Sequence, residues 1–156
     1  MNISSAIVQL AKATHHQGQK LVLVTGVFDL LHQEHVHFLK RAKAAGDVLL
    51  VGIESDVRVK QLKGEGRPIE NQALRKQKVA TVPGVDGAFI LPEVFDQPEH
   101  HLELLKILRP DILAVSSHTP HLEEKRQLMS VIGGRVEVVL EQNPAVSTTQ
   151  IIKTGA

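Results

Sequence analysis

The sequence predicts an α/β domain built on a doubly wound, five-stranded parallel sheet with helices on both faces. Three observations carry that expectation. Apolar segments rich in β-branched residues alternate with amphipathic segments at intervals of about 20–30 residues, the spacing of strand–crossover–strand units. The apolar runs are continuous, as in Leu21-Val22-Leu23-Val24 and Val48-Leu49-Leu50-Val51, which fits strands buried on both faces. No repeat, low-complexity stretch or linker divides the 156 residues, so one domain spanning 1–156 is expected, large enough to bury about two-thirds of its unfolded surface.

Taken in order, residues 3–14 place Ile3, Ala6, Ile7, Leu10 and Ala11 on one face of a short helix. Leu21 to Val24 is the first strand, ended by Thr25-Gly26, and the helix after it carries Val36, Leu39 and Ala42, with Gly46 as its C-cap. Asp47 to Ile53 is the second strand, and Ser55 or Asp56 caps a short helix toward Leu62. Lys63-Gly64-Glu65-Gly66-Arg67-Pro68 reads as a loop. A helix from Asn71 to Val82, closed by Pro83-Gly84, leads to a third strand, Gly87 to Leu91. Pro98 to Leu108 is a helix with Leu102, Leu105 and Leu108 inward, stopped by Arg109-Pro110, and Asp111 to Val115 is the fourth strand. Pro120 at N1 opens a helix ending at Gly133-Gly134; Val136 to Leu140 is the fifth strand; Ser147-Thr148-Thr149 caps a final short helix.

Composition narrows the function. A formal net charge of +1 argues against a nucleic-acid partner, which needs a concentrated basic face. Four Phe without Tyr or Trp argue against base stacking on an aromatic platform. Without cysteine there is no thiolate chemistry and no Cys-based zinc site. Apolar runs fall far short of the ~20 residues of a membrane helix, so no membrane partner and a cytoplasmic location are the expectations.

The chemistry concentrates in Leu21–Leu39. A chain that leaves the carboxyl end of a parallel strand and turns into a helix gathers free N–H groups and the positive end of a helix dipole in one crevice. His32 and His35 stand at that turn, three residues apart, behind Gly26, Val27, Phe28 and Asp29, and both can face an anion bound there. Two other readings compete: His32 as a plain cap with His35 opening the helix, and a metal site shared with His37. The latter lies on a different helix side from His35, so no metal ligands are assigned. Lys63 and Arg67 sit in the glycine-flanked loop after the second strand, which can reach the same crevice and neutralise phosphate charge. Ser147, Thr148 and Thr149 offer hydroxyls and free N–H groups to a nucleotide, or serve only as a cap.

Together the stretches GVFDLLH with a second histidine three on, ESDVRVKQLKGEGRP, the later Arg75, RPDILAV and VSTTQII resemble the nucleotidyltransferase superfamily marked by a His-x-Gly-His turn. Within it, they are most similar to the heptose 1-phosphate adenylyltransferase domain of ADP-heptose synthesis. The resemblance spans residues 21–152 and implies a Rossmann-like fold. It also implies an enzyme in which an acceptor phosphate attacks the α-phosphate of a nucleoside triphosphate and pyrophosphate leaves. Carried over by position, His32 and His35 hold the triphosphate, Lys63 neutralises phosphate charge and Gly26, Val27 and Phe28 supply backbone N–H groups. Arg67 binds phosphate, Ser147, Thr148 and Thr149 close on the nucleotide, Mg²⁺ bridges phosphates, and a homodimer is expected. Two positions depart from the pattern. Glu34 replaces the glycine of the histidine turn, and Ser116-Ser117-His118 replaces a glycine-rich turn ending in aspartate. Gln142 and Asn143 stand where cytidylyltransferases resemble one another in an Arg-Thr pair, which favours ATP over CTP; the expected acceptor is a sugar phosphate, with a polyol phosphate as the runner-up. The competing classes are a cytidylyltransferase on a polyol phosphate, a nucleotide-binding regulatory protein impaired by Glu34, and a metal-binding protein.

Overall fold

The computed structural model describes residues 1–141; the expected Ser147–Thr149 cap and final helix lie outside them. Eleven elements follow one another: α1 (Ser5–His16), β1 (Leu21–Gly26), α2 (Gln33–Ala44), β2 (Val48–Ile53), α3 (Asp56–Lys63), α4 (Gln72–Ala80), β3 (Gly87–Ile90), α5 (Pro98–Leu108), β4 (Ile112–Ser116), α6 (Leu122–Val131) and β5 (Arg135–Leu140). All pairings are parallel and the sheet order is β3-β2-β1-β4-β5, the doubly wound arrangement expected.

Alternation along the central strands splits the core in two. Leu21 and Leu23 of β1 face a cluster with Ile7, Leu104, Leu108 and Met129 under α1, α5 and α6. Val22 and Val24 face the opposite cluster, with Leu39, Ala42 and Val79 from α2 and α4. Successive strand residues point to opposite faces, so a run that is apolar at every position is what a sheet covered on both sides requires.

Three aspartates set the strand starts. Asp47 before β2 accepts from Lys20 N at 2.7 Å, Asp86 before β3 accepts from Leu49 N at 2.8 Å, and Asp111 before β4 accepts from Leu21 N at 2.8 Å. Each fixes the register of its own strand against the neighbour and satisfies an N–H at the sheet's lower edge.

Four expectations are corrected. α2 stops at Ala44 with Ala45 as C-cap, and Gly46 is glycine for closeness rather than for capping. A Cβ there would lie 2.6 Å from Val22 Cγ2. α5 turns Leu104, Leu105 and Leu108 inward, not Leu102, because it packs against both α1 and α6. Lys63 is the last residue of α3, so the loop begins at Gly64. Pro120 does not open α6. A turn closed by Thr119 N donating to Ser116 O (3.2 Å) carries the chain past it, and the helix starts at Leu122 after His121 at φ +56°.

The sheet also explains where a ligand fits. β1 pairs with β2 over six residues, but with β4 only at Val22–Ile112 and Leu23–Leu113. Strand order reverses between β1 and β4, and the two part beyond Leu23, opening a crevice at their carboxyl ends.

Candidate active site

The crevice between β1 and β4 is a cleft of about 350 Å³. One wall is Thr25 to Phe28 with His32, Glu34, His35 and Lys63; the other comes from Leu113–Ser116, the 118–120 turn and Lys125.

His32 is the N-cap of α2, in extended backbone at φ −131°, and His35 is its third residue. The two make a reciprocal capping box. Glu34 N donates to His32 Nδ1 (3.2 Å) and His32 N donates to His35 Nδ1 (3.3 Å). The rings stack at 3.8 Å, and His35 meets Phe28 edge-on at 5.4 Å. Because each Nδ1 accepts a backbone N–H, the proton of each neutral ring sits on Nε2. His32 Nε2 is buried and has no hydrogen-bond partner. The plain capping reading is therefore correct but incomplete: the caps that start the helix also fix two imidazole N–H donors in the cleft wall.

Electrostatics keep both rings neutral without ligand. Burial pushes His35 down to about 3, helped by His32 and Lys63 and opposed by Asp29. Burial also lowers His32, opposed by Glu34. Lys63 is lowered by burial and then by Arg67, with Asp29 opposing. The result is a neutral pair that offers its Nε2–H groups to an anion while each Nδ1 keeps its backbone hydrogen bond.

The turn ahead of the histidines is held from below. Phe28 and Leu30 sit at φ +53° and +54°, a region costly for non-glycine residues. Gly26 makes room for this, since a Cβ there would lie 2.8 Å from the Phe28 ring. Asp29, wholly buried, accepts from Ile69 N (2.7 Å), Glu70 N (2.9 Å) and Arg67 Nε (3.4 Å). Arg75, equally buried, donates to Val27 O, Glu54 O and Glu70 O and pairs with Asp56 Oδ1, all at 2.8–2.9 Å. A single guanidinium thus ties the ends of β1 and β2 to the starts of α3 and α4.

Of the sequence-expected residues, the cleft gathers His32, His35, Lys63, Gly26, Val27 and Phe28. Arg67 goes elsewhere: it pairs with Asp29 and lines a separate shallow groove with Asp56, Val57 and Ile69. Glu34 lines the cleft, its Oε1 4.0 Å from His37 Nδ1. His118 lines it too and is exposed, and His101, tilted against the Phe95 ring at 4.1 Å, is half-buried.

Sequence reasoning missed Glu54, Arg58, Thr119 and Lys125. Lys125 Nζ donates to Thr119 Oγ1 at 2.5 Å, and burial lowers its pKa against Glu54 and Glu124. Glu54 follows the last residue of β2, and burial lifts it to about 7 against Arg58, Arg75 and Lys125. Its position at a strand's carboxyl end was the available signal; Lys125, inside an amphipathic helix, gave none.

Residues 23–154 match the family described as cytidylyltransferase-like. Proteins named bifunctional protein HldE are 39% identical over 145 residues in Pelobacter propionicus, covering 92% of this chain and 28% of that protein. In Nitratiruptor sp. the identity is 45% over 104 residues, covering 67% and 21%. The chain therefore spans less than a third of these relatives' length. Among solved structures, the lipopolysaccharide core biosynthesis protein of Thermoplasma volcanium superposes with a TM-score of 0.66 at 28% identity, over 81% of this chain and 98% of that one. Pantoate-beta-alanine ligase of Francisella tularensis, complexed with beta-gamma ATP and beta-alanine, reaches 0.63 at 18% identity over 95% and 74%, a likeness of fold alone.

Proposed function

This chain belongs to the cytidylyltransferase-like family of nucleotidyltransferases, and we propose that it transfers an adenylyl group from ATP to the phosphate of a sugar phosphate. One observation carries the site assignment: the stacked His32–His35 pair, with both Nε2 protons free of the backbone and one of them buried without a partner, in the cleft between β1 and β4. A buried N–H donor without an acceptor costs on the order of 1–3 kcal/mol, which a phosphate oxygen would return.

In this reading an acceptor phosphate oxygen forms a bond to the α-phosphorus. The α–β bridging bond breaks, and its electron pair leaves with pyrophosphate. His32 and His35 donate to the oxygens on which charge builds, Lys63 neutralises it from the end of α3, and N–H groups of Gly26 to Phe28 hold the remainder. Both rings can donate as neutral imidazoles through Nε2, since a cation would have to give up the backbone N–H that each Nδ1 accepts. Ser147, Thr148 and Thr149 are proposed, by family resemblance, to close on base and ribose; Arg67 is left to order the 64–70 segment through Asp29.

Mg²⁺ fits the donor set. Glu34 is the carboxylate of the cleft wall, and magnesium keeps several waters and takes one or two carboxylates beside substrate phosphates. When bound, the ion would screen the phosphates; the protein's own share is orientation and hydrogen bonding.

Glu34 also supports a second reading, a nucleotide-binding regulatory protein without turnover. A carboxylate about 4 Å from an unscreened phosphate charge costs on the order of 1–4 kcal/mol. Pyrophosphate release with Mg²⁺, each nucleoside triphosphate and a panel of sugar and polyol phosphates decides. Release with ATP and a sugar phosphate supports the transferase. Release with CTP and a polyol phosphate gives the cytidylyl alternative, and a thermal shift with ATP but no release under any acceptor gives the regulator.

A homodimer in the cytoplasm, where nucleoside triphosphates are made, is part of the proposal. Val57 and Ile69, 44% and 52% exposed in one shallow groove, support an interface there. A light-scattering mass of twice 17.1 kDa is expected; a mass of 17.1 kDa contradicts it.

A further inference from the structure

Beyond Lys63 and Thr119 the histidine cleft adjoins a second chamber of about 710 Å³, and Gly26, Val27, Lys63, Thr119 and Lys125 belong to both walls. Two ligand-sized spaces that meet beside Lys63 suit a two-substrate reaction. The second chamber has its own chemistry. Glu54 comes from the end of β2 and Arg58 from the first turn of α3, and both line it. Glu54 Oε2 and Arg58 Nε are buried, and neither has a hydrogen-bond partner. Buried polar atoms are paired in the great majority of cases, so two orphans lining one cavity call for a ligand with both a donor and an acceptor.

We propose that Glu54, Arg58 and Lys125 are the residues that select the acceptor in this chamber, Glu54 accepting from ring hydroxyls while Arg58 and Lys125 hold the phosphate. The proposal rests on the nucleotidyl-transfer reading and names the pocket and residues that reading leaves open. A carboxylate's two oxygens match adjacent hydroxyls, and guanidinium and ammonium groups match a phosphomonoester. Leu62, Phe95 and Leu128 supply an apolar wall, with the His101 ring tilted against Phe95, which suits the C–H face of a sugar ring that a three-carbon polyol lacks. The phosphate would then lie at the shared wall, beside Lys63 and facing the histidine cleft. That the cavity excludes enough water to lift Glu54 to about 7 agrees with a site built to be filled.

Calorimetry on the full chain without nucleotide tests this with hexose and heptose 1-phosphates, glycerol 3-phosphate, inorganic phosphate and, separately, ATP. At least one sugar phosphate should bind ten-fold or more tighter than glycerol 3-phosphate. Glu54→Gln should weaken that sugar phosphate at least ten-fold while moving inorganic phosphate and ATP less than two-fold. Arg58→Gln should weaken sugar phosphate and inorganic phosphate together. Sugar phosphates binding no better than inorganic phosphate, or Glu54→Gln leaving them unchanged or weakening ATP equally, overturns the proposal. Should the variants not fold, amide shifts in the unmodified chain decide: a sugar phosphate must move Glu54, Arg58 and His101 more than His32 and Glu34, and the reverse pattern overturns it. The two levels fail separately. Sugar phosphate binding without pyrophosphate release from any nucleotide removes the transferase reading alone, whereas release with unaltered acceptor KM in Glu54→Gln removes the pocket alone.

Discussion

His32 serves the backbone through Nδ1 and the cleft through Nε2, so one substitution can separate the two roles. Asparagine caps a helix as well as any residue, so His32→Asn should retain the cap and lose only the ring donor. Its melting temperature should stay within a few degrees of the parent while kcat falls roughly 10²–10³-fold. His32→Ala should lose both, with about 1 kcal/mol of stability gone as well. Equal kcat in His32→Asn and the parent would remove His32 from the reaction. Glu34→Gly should tighten ATP binding, measured by calorimetry, if the carboxylate faces the phosphates; weaker binding would assign Glu34 to magnesium instead. His35 and Glu54 set a pH dependence with opposed signs. His35 titrates near 3 folded and near 6.5 unfolded, so between these values the unfolded chain holds more protons and stability falls as pH falls. Glu54 titrates near 7 folded and near 4.5 unfolded, so the folded chain holds more protons and stability falls as pH rises through that window. From pH 7 to 5, His35→Gln should therefore lose less stability than the parent and Glu54→Gln should lose more. Parallel melting curves for all three would contradict both assignments.

Among the elements, the ends of β1 and β2 and the starts of α3 and α4 depend on Arg75. Its removal leaves the carbonyls of Val27, Glu54 and Glu70 unpaired below the cleft floor. Arg75→Met should cost on the order of 3–5 kcal/mol in chemical denaturation, and Arg75→Lys should recover little, because an ammonium cannot span four acceptors in a plane. A loss under 1 kcal/mol would show that the fork is dispensable. The strands and most helices were legible in the sequence because a sheet covered on both faces writes continuous apolar runs, and because Ser55 and Asn71 cap α3 and α4 as their residue types suggest. The exceptions have physical causes. Gly46 looks like a cap but serves a close passage over Val22, and Pro120 looks like a helix start but belongs to a turn in the cleft wall. The aspartates at 47, 86 and 111 set strand register through contacts that join residues 27 to 90 positions apart, which no local pattern reveals.

At the scale of the molecule, the sheet order brings together what the sequence keeps far apart. The histidine turn was readable because a strand-to-helix turn is an anion site wherever it occurs, and Lys63 because it stands beside a glycine-flanked loop that follows the second strand. Lys125 and Thr119 were not, because only the β1–β4 adjacency carries them to the opposite wall. Arg67 shows the converse: its loop approaches the cleft, but wholly buried Asp29 claims its Nε and turns the guanidinium to another groove. The account stands on one site, where a parting of two parallel strands exposes two oriented imidazoles to a polyphosphate. A crystal structure of the chain with Mg²⁺ and a non-hydrolysable ATP analogue tests it most directly. Phosphate oxygens about 3 Å from both His32 Nε2 and His35 Nε2, with Lys63 turned toward the same phosphates, are expected. A nucleotide seated on another face, or phosphates that leave the buried His32 Nε2 without a partner, would contradict it.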